Sequence, residues 1–495
     1  MMRYKILTPE EAAALIEHDE CVGMSGFAHA GALKKIPAAI AEKAKAEHAA
    51  GRPFKIKLMT GASTTDLVDK LLSEAEAVSL RMPYQSCPVT RKAIDKGDIA
   101  YNDMHLSFMM RAMRHGHIPR VKTAIVEVSE VTDDGEITFT VGMGNSPAFC
   151  MLAERIILEV NSYHKPELKD IHDIYISHDE SGRCLVPLYH EADRIGTRVL
   201  KVDPEKIVGI VPTHSPDGFA AFKEGTPETD QIGRNVVRFL EEEYRMGRIP
   251  EGFLPIQSGV GNVANSVLAA LGDSSVIPPI RMYGEVIQDS VVKLMQRGRC
   301  TFASGCSLLL SDEMLEEVYQ NFDFYRDKFL LRPAEISNNT SVIRRLGVVC
   351  MNTAIEADLF GNINSTHFYG SRIMNGIGGS GDFARCSVLT IFTCPSVTKR
   401  GAISSIVPMV SHTDHTEHDV DVIVTEQGVA DLRGKSPRER AEIVIEQCAH
   451  PDYRPLLRRY LELTPVGHTP HSLSKAFAFQ SAFLETGDMR NVDLS

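Results

Sequence analysis

Strand-prone runs and helically spaced runs alternate along this chain, and most of the changes fall at clusters of turn residues. Residues 54–59 read as a short strand, Thr60-Gly-Ala-Ser-Thr-Thr as a turn, and 66–75 as a helix. Farther on, 122–128 and 137–141 read as strands joined by the turn Thr132-Asp-Asp-Gly-Glu136. Residues 146–160 carry helical apolar spacing with Pro147 in the first turn. The second half starts the pattern again, with a strand at 253–257, a glycine turn and a helix at 263–271. Further strands are expected at 276–280, 404–410 and 420–424. Thr8, Pro9 and Glu11 supply the cap, first-turn proline and third-position acid of a helix start, and Ser436-Pro-Arg-Glu439 repeats that logic. Such alternation predicts α/β layers and excludes a helical bundle or a β-sandwich.

At 495 residues the chain exceeds one ordinary hydrophobic core. The stretch 212–225, with Thr-His-Ser-Pro-Asp-Gly and Lys-Glu-Gly, marks a boundary, and a charged helix at 231–248 follows it. Two α/β domains are therefore expected, 1–225 and 226–495, as related open lobes with a ligand cleft at their interface. A formal net charge of -12 argues against nucleic acid as a partner, because phosphate binding needs a positive surface. No apolar run reaches the length needed to span a bilayer, and the N-terminus carries no apolar signal core. The ten cysteines are scattered without a Cys-x-x-Cys pair, which predicts buried free thiols and a cytoplasmic location.

Three segments carry the chemistry. Gln257-Ser-Gly-Val-Gly-Asn262 lies between a strand and a helix, where glycines permit close ligand approach and Val260 can contribute its backbone N–H. It lacks the Gly-Lys-Ser/Thr end of a phosphate loop and the third glycine of a dinucleotide fingerprint. A plain structural turn fits it equally well. Asn375-Gly-Ile-Gly-Gly-Ser-Gly381 places four glycines in seven positions, suited to cradling a pantetheine arm or completing an oxyanion hole with Gly379. Glu285 follows Met282-Tyr-Gly284 at an expected strand end. A carboxylate there can attack a thioester carbonyl and take CoA in turn, exchanging carriers without ATP or metal.

The segments Gln257–Asn265, Tyr283-Gly-Glu-Val-Ile-Gln-Asp289 and Met374-Asn-Gly-Ile-Gly-Gly-Ser-Gly-Asp-Phe-Ala-Arg385 together resemble class I CoA-transferases of the acetyl-CoA hydrolase/transferase family. Residues 356–365, 425–434 and 448–455 extend the resemblance over nearly the whole chain. It implies an enzyme moving CoA between acyl-CoA and small carboxylic acids of the acetate and succinate type. By resemblance Glu285 becomes a glutamyl-CoA thioester, and the Val260 and Gly379 amides stabilise the oxyanion. Asn338 assists ligand positioning, and Glu426 is a second active-site carboxylate that raises the proton affinity of Glu285 or orients the acid. Leu254, Pro255, Ile256, Gln257, Ser258, Asn375, Gly379 and Lys399 match CoA-contacting positions, with the Lys399 ammonium meeting a phosphate. A homodimer is implied, with CoA as substrate and no tightly bound cofactor.

Other segments invite different readings. Ser411-His-Thr-Asp-His-Thr-Glu-His-Asp419 holds enough ligands for zinc, but it lacks His-Glu-x-x-His and runs into a strand, so hydrogen bonding is expected and no metal. Residues 102–107 are expected along the cleft, with His115 and His117 in a polar loop. Met24-Ser-Gly-Phe27 and Met82-Pro-Tyr-Gln-Ser-Cys87 are expected to shape the acid pocket, and Tyr-Gln stands where the acetate enzymes carry an aromatic-Asn pair. Two alternatives stay open: an acyl-CoA hydrolase on the same fold, and a noncatalytic CoA-binding regulator.

Overall fold

A computed structural model describes residues 3–176, 185–221 and 225–495. Residues 222–224, inside the expected boundary, and Cys184 lie outside the described residues. The remaining cysteines are free, and all but Cys386 are buried.

Two open sheets organise the chain. In the first, parallel strands run in the spatial order Ala100–Tyr101, Val78–Met82, Ile56–Met59, Cys21–Met24, Thr123–Val131, Arg155–Asn161 and Ile207–Thr213. In the second the order is Phe329–Leu331, Cys300–Gly305, Ile280–Tyr283, Ile256–Ser258, Val349–Thr353, Leu389–Thr393 and Val422–Val424, again parallel. Numbered by appearance, the parallel strands of both sheets run 4-3-2-1-5-6-7. The halves thus share a topology that no sequence repeat announces. Antiparallel strands complete each sheet, Glu136–Phe139 with Leu200–Lys201 in the first and Val429–Asp431 in the second.

Strands such as Leu389–Thr393 are buried throughout, because helices cover both faces of a parallel sheet. That double burial explains a correction. The run expected as one helix over 146–160 breaks after Ser146–Leu152, and Arg155–Asn161 is a strand. Its Ile156, Ile157 and Leu158 are fully buried between Thr123–Val131 and Ile207–Thr213, so continuous burial imitated helical spacing. The strand expected at 276–280 instead occupies Ile280–Tyr283. Pro278 and Pro279 have no N–H to give a ladder. Residues 404–410 join no main sheet, forming only the short strands Ile403–Ser404 and Ile406–Val407. No described helix is long and apolar enough to cross a membrane.

The halves meet through backbone bonds. Met143 N donates to Cys306 O at 2.8 Å, Leu308 N to Val141 O at 2.9 Å and Ala334 N to Gly144 O at 2.9 Å. Buried Arg332 adds an ion pair to Asp173 at 2.7 Å.

Candidate active site

In open parallel sheets the ligand crevice forms beyond the C-terminal strand ends, where the strand order reverses. Here both sheets point such ends at one cavity of about 210 Å³. The first half supplies Phe27 and Ala28 beyond Cys21–Met24, Ala62 and Ser63 beyond Ile56–Met59, Tyr84 beyond Val78–Met82, and Leu106. The second supplies Ser258 at the end of Ile256–Ser258 with Gly259 and Val260 beyond it, Glu285 beyond Ile280–Tyr283, and Asn352 and Thr353 at the end of Val349–Thr353. The loop Asn375–Ser380 closes the remaining side.

Glu285 is fixed from two directions. Its carbonyl accepts from Cys306 N at 2.6 Å and Ser307 N at 3.2 Å, tying the backbone to the next strand. Its Oε1 accepts from Asn338 Nδ2 at 2.7 Å. The carboxyl lies hard against Gly379: a Cβ built there would fall 1.9 Å from Oε1 and 2.3 Å from Asn338 Nδ2. Burial pushes Glu285 up to about 7, the Asn338 bond opposes this, and the charge of Asp382 adds to it. Asp382 is itself buried and held up at about 7, despite bonds from Ser107 and Asn338. Among the described residues, the Val260 and Gly379 N–H groups donate to no protein acceptor.

Val260, Ser258, Glu285, Asn375 and Gly379 therefore line one cavity, and Asn338 touches Glu285 from behind. Other expected residues lie elsewhere. Ile256 and Gln257 are buried in the strand, where Gln257 exchanges amide bonds of 3.3 Å with Asn352, and Pro255 O accepts from Val349 N at 2.9 Å. Leu254 packs against the core, so only Ser258 of that run faces the cavity. The carboxylate of Glu426 is taken by Ser396 N at 2.8 Å, the Ser396 hydroxyl and Gln427 Nε2 at 3.0 Å. The acidic neighbour felt by Glu285 is Asp382, where the sequence pointed to Glu426. Lys399 is exposed outside the cavity, its ammonium 4.9 Å from the Phe483 ring centroid.

Asp382 stands inside the 374–385 motif without an assigned role. Its signal lay in the Gly-Ser-Gly-Asp run, where a charged residue directly follows glycines built for close packing. Asp103, from the stretch expected along the cleft, accepts from Ile377 N at 2.9 Å and 3.0 Å and so anchors the glycine loop. His115 and His117 stack on each other, with centroids 5.7 Å apart. In the 411–419 run, Asp414 accepts from Ser365 and Thr366, and His415 meets Ser380 Oγ at 3.2 Å. A cation-binding geometry appears instead at Glu127, His164 and Asp217. There Lys34 Nζ sits 3.0 Å from Glu127 and 2.8 Å from Asp217, an ammonium in the place a metal would take.

The comparisons agree with this architecture. Residues 2–212 match the acetyl-CoA hydrolase/transferase N-terminal domain and 315–461 the C-terminal domain. The chain is 46% identical to the propanoyl-CoA:succinate CoA transferase of Escherichia coli, over 98% of each chain. It is 45% identical to the succinyl-CoA:acetate CoA-transferase of Clostridium kluyveri, over 99% of this chain and 91% of that one. The crystal structure of RipA from Yersinia pestis superposes with a TM-score of 0.70 at 23% identity, covering 92% of this chain and 96% of that one. With two α/β CoA-transferase domains, the chain belongs to the acetyl-CoA hydrolase/transferase family.

Proposed function

We propose that this enzyme transfers CoA between a short-chain acyl-CoA and a small carboxylic acid, with Glu285 as the covalent carrier. The observation that carries the reading is the Glu285 carboxyl on the cavity wall, packed against Gly379 and held through one oxygen by Asn338. The ionised carboxylate attacks the acyl-CoA carbonyl; the C–S bond breaks, leaving an acyl-glutamyl anhydride and CoA thiolate. The thiolate then attacks the glutamyl carbonyl, forming glutamyl-CoA and releasing the first acid as its carboxylate. The incoming acid reverses both steps, so each thioester broken is matched by one formed.

The free amides of Val260 and Gly379 are suited to the oxyanion of each tetrahedral intermediate. Asn338 keeps Glu285 aimed into the cavity, and Phe27 and Tyr84 bound the acyl group. Ser258 and Asn375 flank the pantetheine end, and exposed Lys399 serves a CoA phosphate. Glu426 supports the loop around Ser396. The acids are acetate, succinate or short relatives, as in the two bacterial transferases, and the active unit is a homodimer whose subunits divide near residue 225.

The family also includes hydrolases, so the decisive assay follows free thiol and acyl-CoA products together. Acetyl-, propionyl-, butyryl- and succinyl-CoA are each presented with and without an acceptor acid. Exchange that requires the acid, with little free CoA, is expected; thiol release equally fast without acid would mark a hydrolase. Quenching with acyl-CoA alone should add the mass of CoA less one water at Glu285, and Glu285→Ala should abolish both the adduct and exchange while still binding CoA. An unmodified Glu285, or an active alanine variant, would refute the assignment.

A further inference from the structure

We propose that Asp382 is a positioning residue for Glu285, setting the orientation of the Asn338 amide that holds its carboxyl. This rests on Glu285 being the reacting group. Asn338 Nδ2 donates both to Glu285 Oε1 at 2.7 Å and to Asp382 Oδ2 at 3.3 Å. Its Oδ1 faces the Cys306 thiol at 3.8 Å. Whichever of the two acids is ionised only accepts, so the pair admits one amide orientation, with Nδ2 toward both. Were the amide turned over, its oxygen would face both carboxyls and Glu285 would lose its donor.

Asp382 is in turn set by the first half of the molecule. Ser107 Oγ donates to its Oδ1 at 2.6 Å and Ser107 N to its Oδ2 at 3.2 Å. His105 Nδ1 stands 3.9 Å from Oδ1, beyond hydrogen-bond reach. Arg385 follows on the same segment, and it bears on His105 rather than on Asp382. The resulting chain, Ser107 to Asp382 to Asn338 to Glu285, lets the docking of one half register at the reacting oxygen of the other. Burial holds the proton on Glu285, and the charge of Asp382 adds to that hold. Asp382 lies outside the cavity lining, so substrate contact does not account for this arrangement.

The test is Asp382→Asn, which keeps shape and removes charge, with Ser107→Ala as a milder second variant. Both are read by kcat and KM across pH, and by the rate of glutamyl-CoA formation after rapid quenching. For Asp382→Asn we expect kcat to fall about 10- to 100-fold while KM for acyl-CoA stays within about 2-fold. The ascending limb of its pH profile should move lower by about one unit, since the like charge is gone. Ser107→Ala should move the limb the same way by less, because an Asp382 without that donor keeps its proton longer. An unmoved limb with kcat within about 2-fold of wild type in either soluble variant would overturn the proposal. If the wild type itself never forms the Glu285 adduct, the reading beneath it fails instead.

Discussion

The Glu285 carboxyl and the Asn338 amide leave no room for a side chain at position 379. The carboxyl occupies the volume where any other residue at 379 would place its Cβ, 1.9 Å from Oε1. Gly379→Ala therefore displaces the carboxyl or the loop, along with the amide suited to the oxyanion. We expect kcat/KM to fall at least about 10²-fold, a loss typical of a removed oxyanion donor; activity within a few-fold of wild type would show that the contact gives way freely. The pH dependence belongs to the same residue. As the proposed nucleophile Glu285 must be ionised, and burial holds its proton up to about 7, so kcat/KM should climb with pH and level off above that value. Asn338→Ala removes the one bond that draws it down, and should move the limb to higher pH. The stability sign is opposite to that of activity. Raised folded values mean that Glu285 and Asp382 stabilise the fold at acid pH, fully below 4.5 and 3.8, and lose that contribution as pH rises through about 7. A limb that stays near the ordinary glutamate range would exclude Glu285 as the titrating base.

Elements were legible where a local signal coincided with burial of one kind. Thr8, Pro9 and Glu11 form the expected capping box, with Thr8 N donating to Glu11 Oε2 at 2.9 Å. The helix expected at 231–248 runs over Pro227–Arg245. Its start was readable from Thr226-Pro227, the signal already recognised at Thr8-Pro9. Thr226 accepts from Thr229 N at 3.3 Å and its own N–H donates to Thr229 Oγ1 at 2.8 Å. Thr226→Ala should cost about 1 kcal/mol at this helix start without touching turnover. Faster amide exchange in the first turn, with kcat/KM unchanged, is the expected result, and unchanged exchange would deny the cap a role. Where burial was two-sided, as in Arg155–Asn161, apolar periodicity lost its meaning and the element was misread. The site divides the same way: Glu285, Gly379 and Val260 stand in short glycine-marked motifs. Ile256 and Gln257 share such a motif yet face inward, because strand alternation and sheet burial do not show in a string of letters. Asp382 meets Ser107 across 275 positions of chain, a contact only the tertiary fold creates.

At the scale of the whole molecule, function requires two sheets of like topology to hold their strand ends against each other across the cavity. Part of that hold is a buried charge cluster outside the cavity lining. Lys34 pairs with Glu127 at 3.0 Å and Asp217 at 2.8 Å, with its side chain only 5% exposed. His164 stands beside both acids and bonds across to Tyr319 OH of the second half at 2.7 Å. Gly218 N, next in chain to Asp217, donates to Asp312 of the second half at 3.1 Å. Burial alone would neutralise the lysine, but Asp217 and Glu127 hold its ammonium well above the ordinary range. The same ammonium, with His164, draws Asp217 well below its own despite burial. Replacing the cation leaves two buried carboxylates without their ammonium, which costs far more than the intact cluster contributes. Lys34→Met should destabilise the first half by about 3–5 kcal/mol, the range for breaking a buried pair. Adding Asp217→Asn to that variant should restore part of the loss, since one stranded charge is gone. Thermal melts of the single and double variants measure both effects. A Lys34→Met protein melting with the wild type would mean that the cluster is not what keeps the two halves in register.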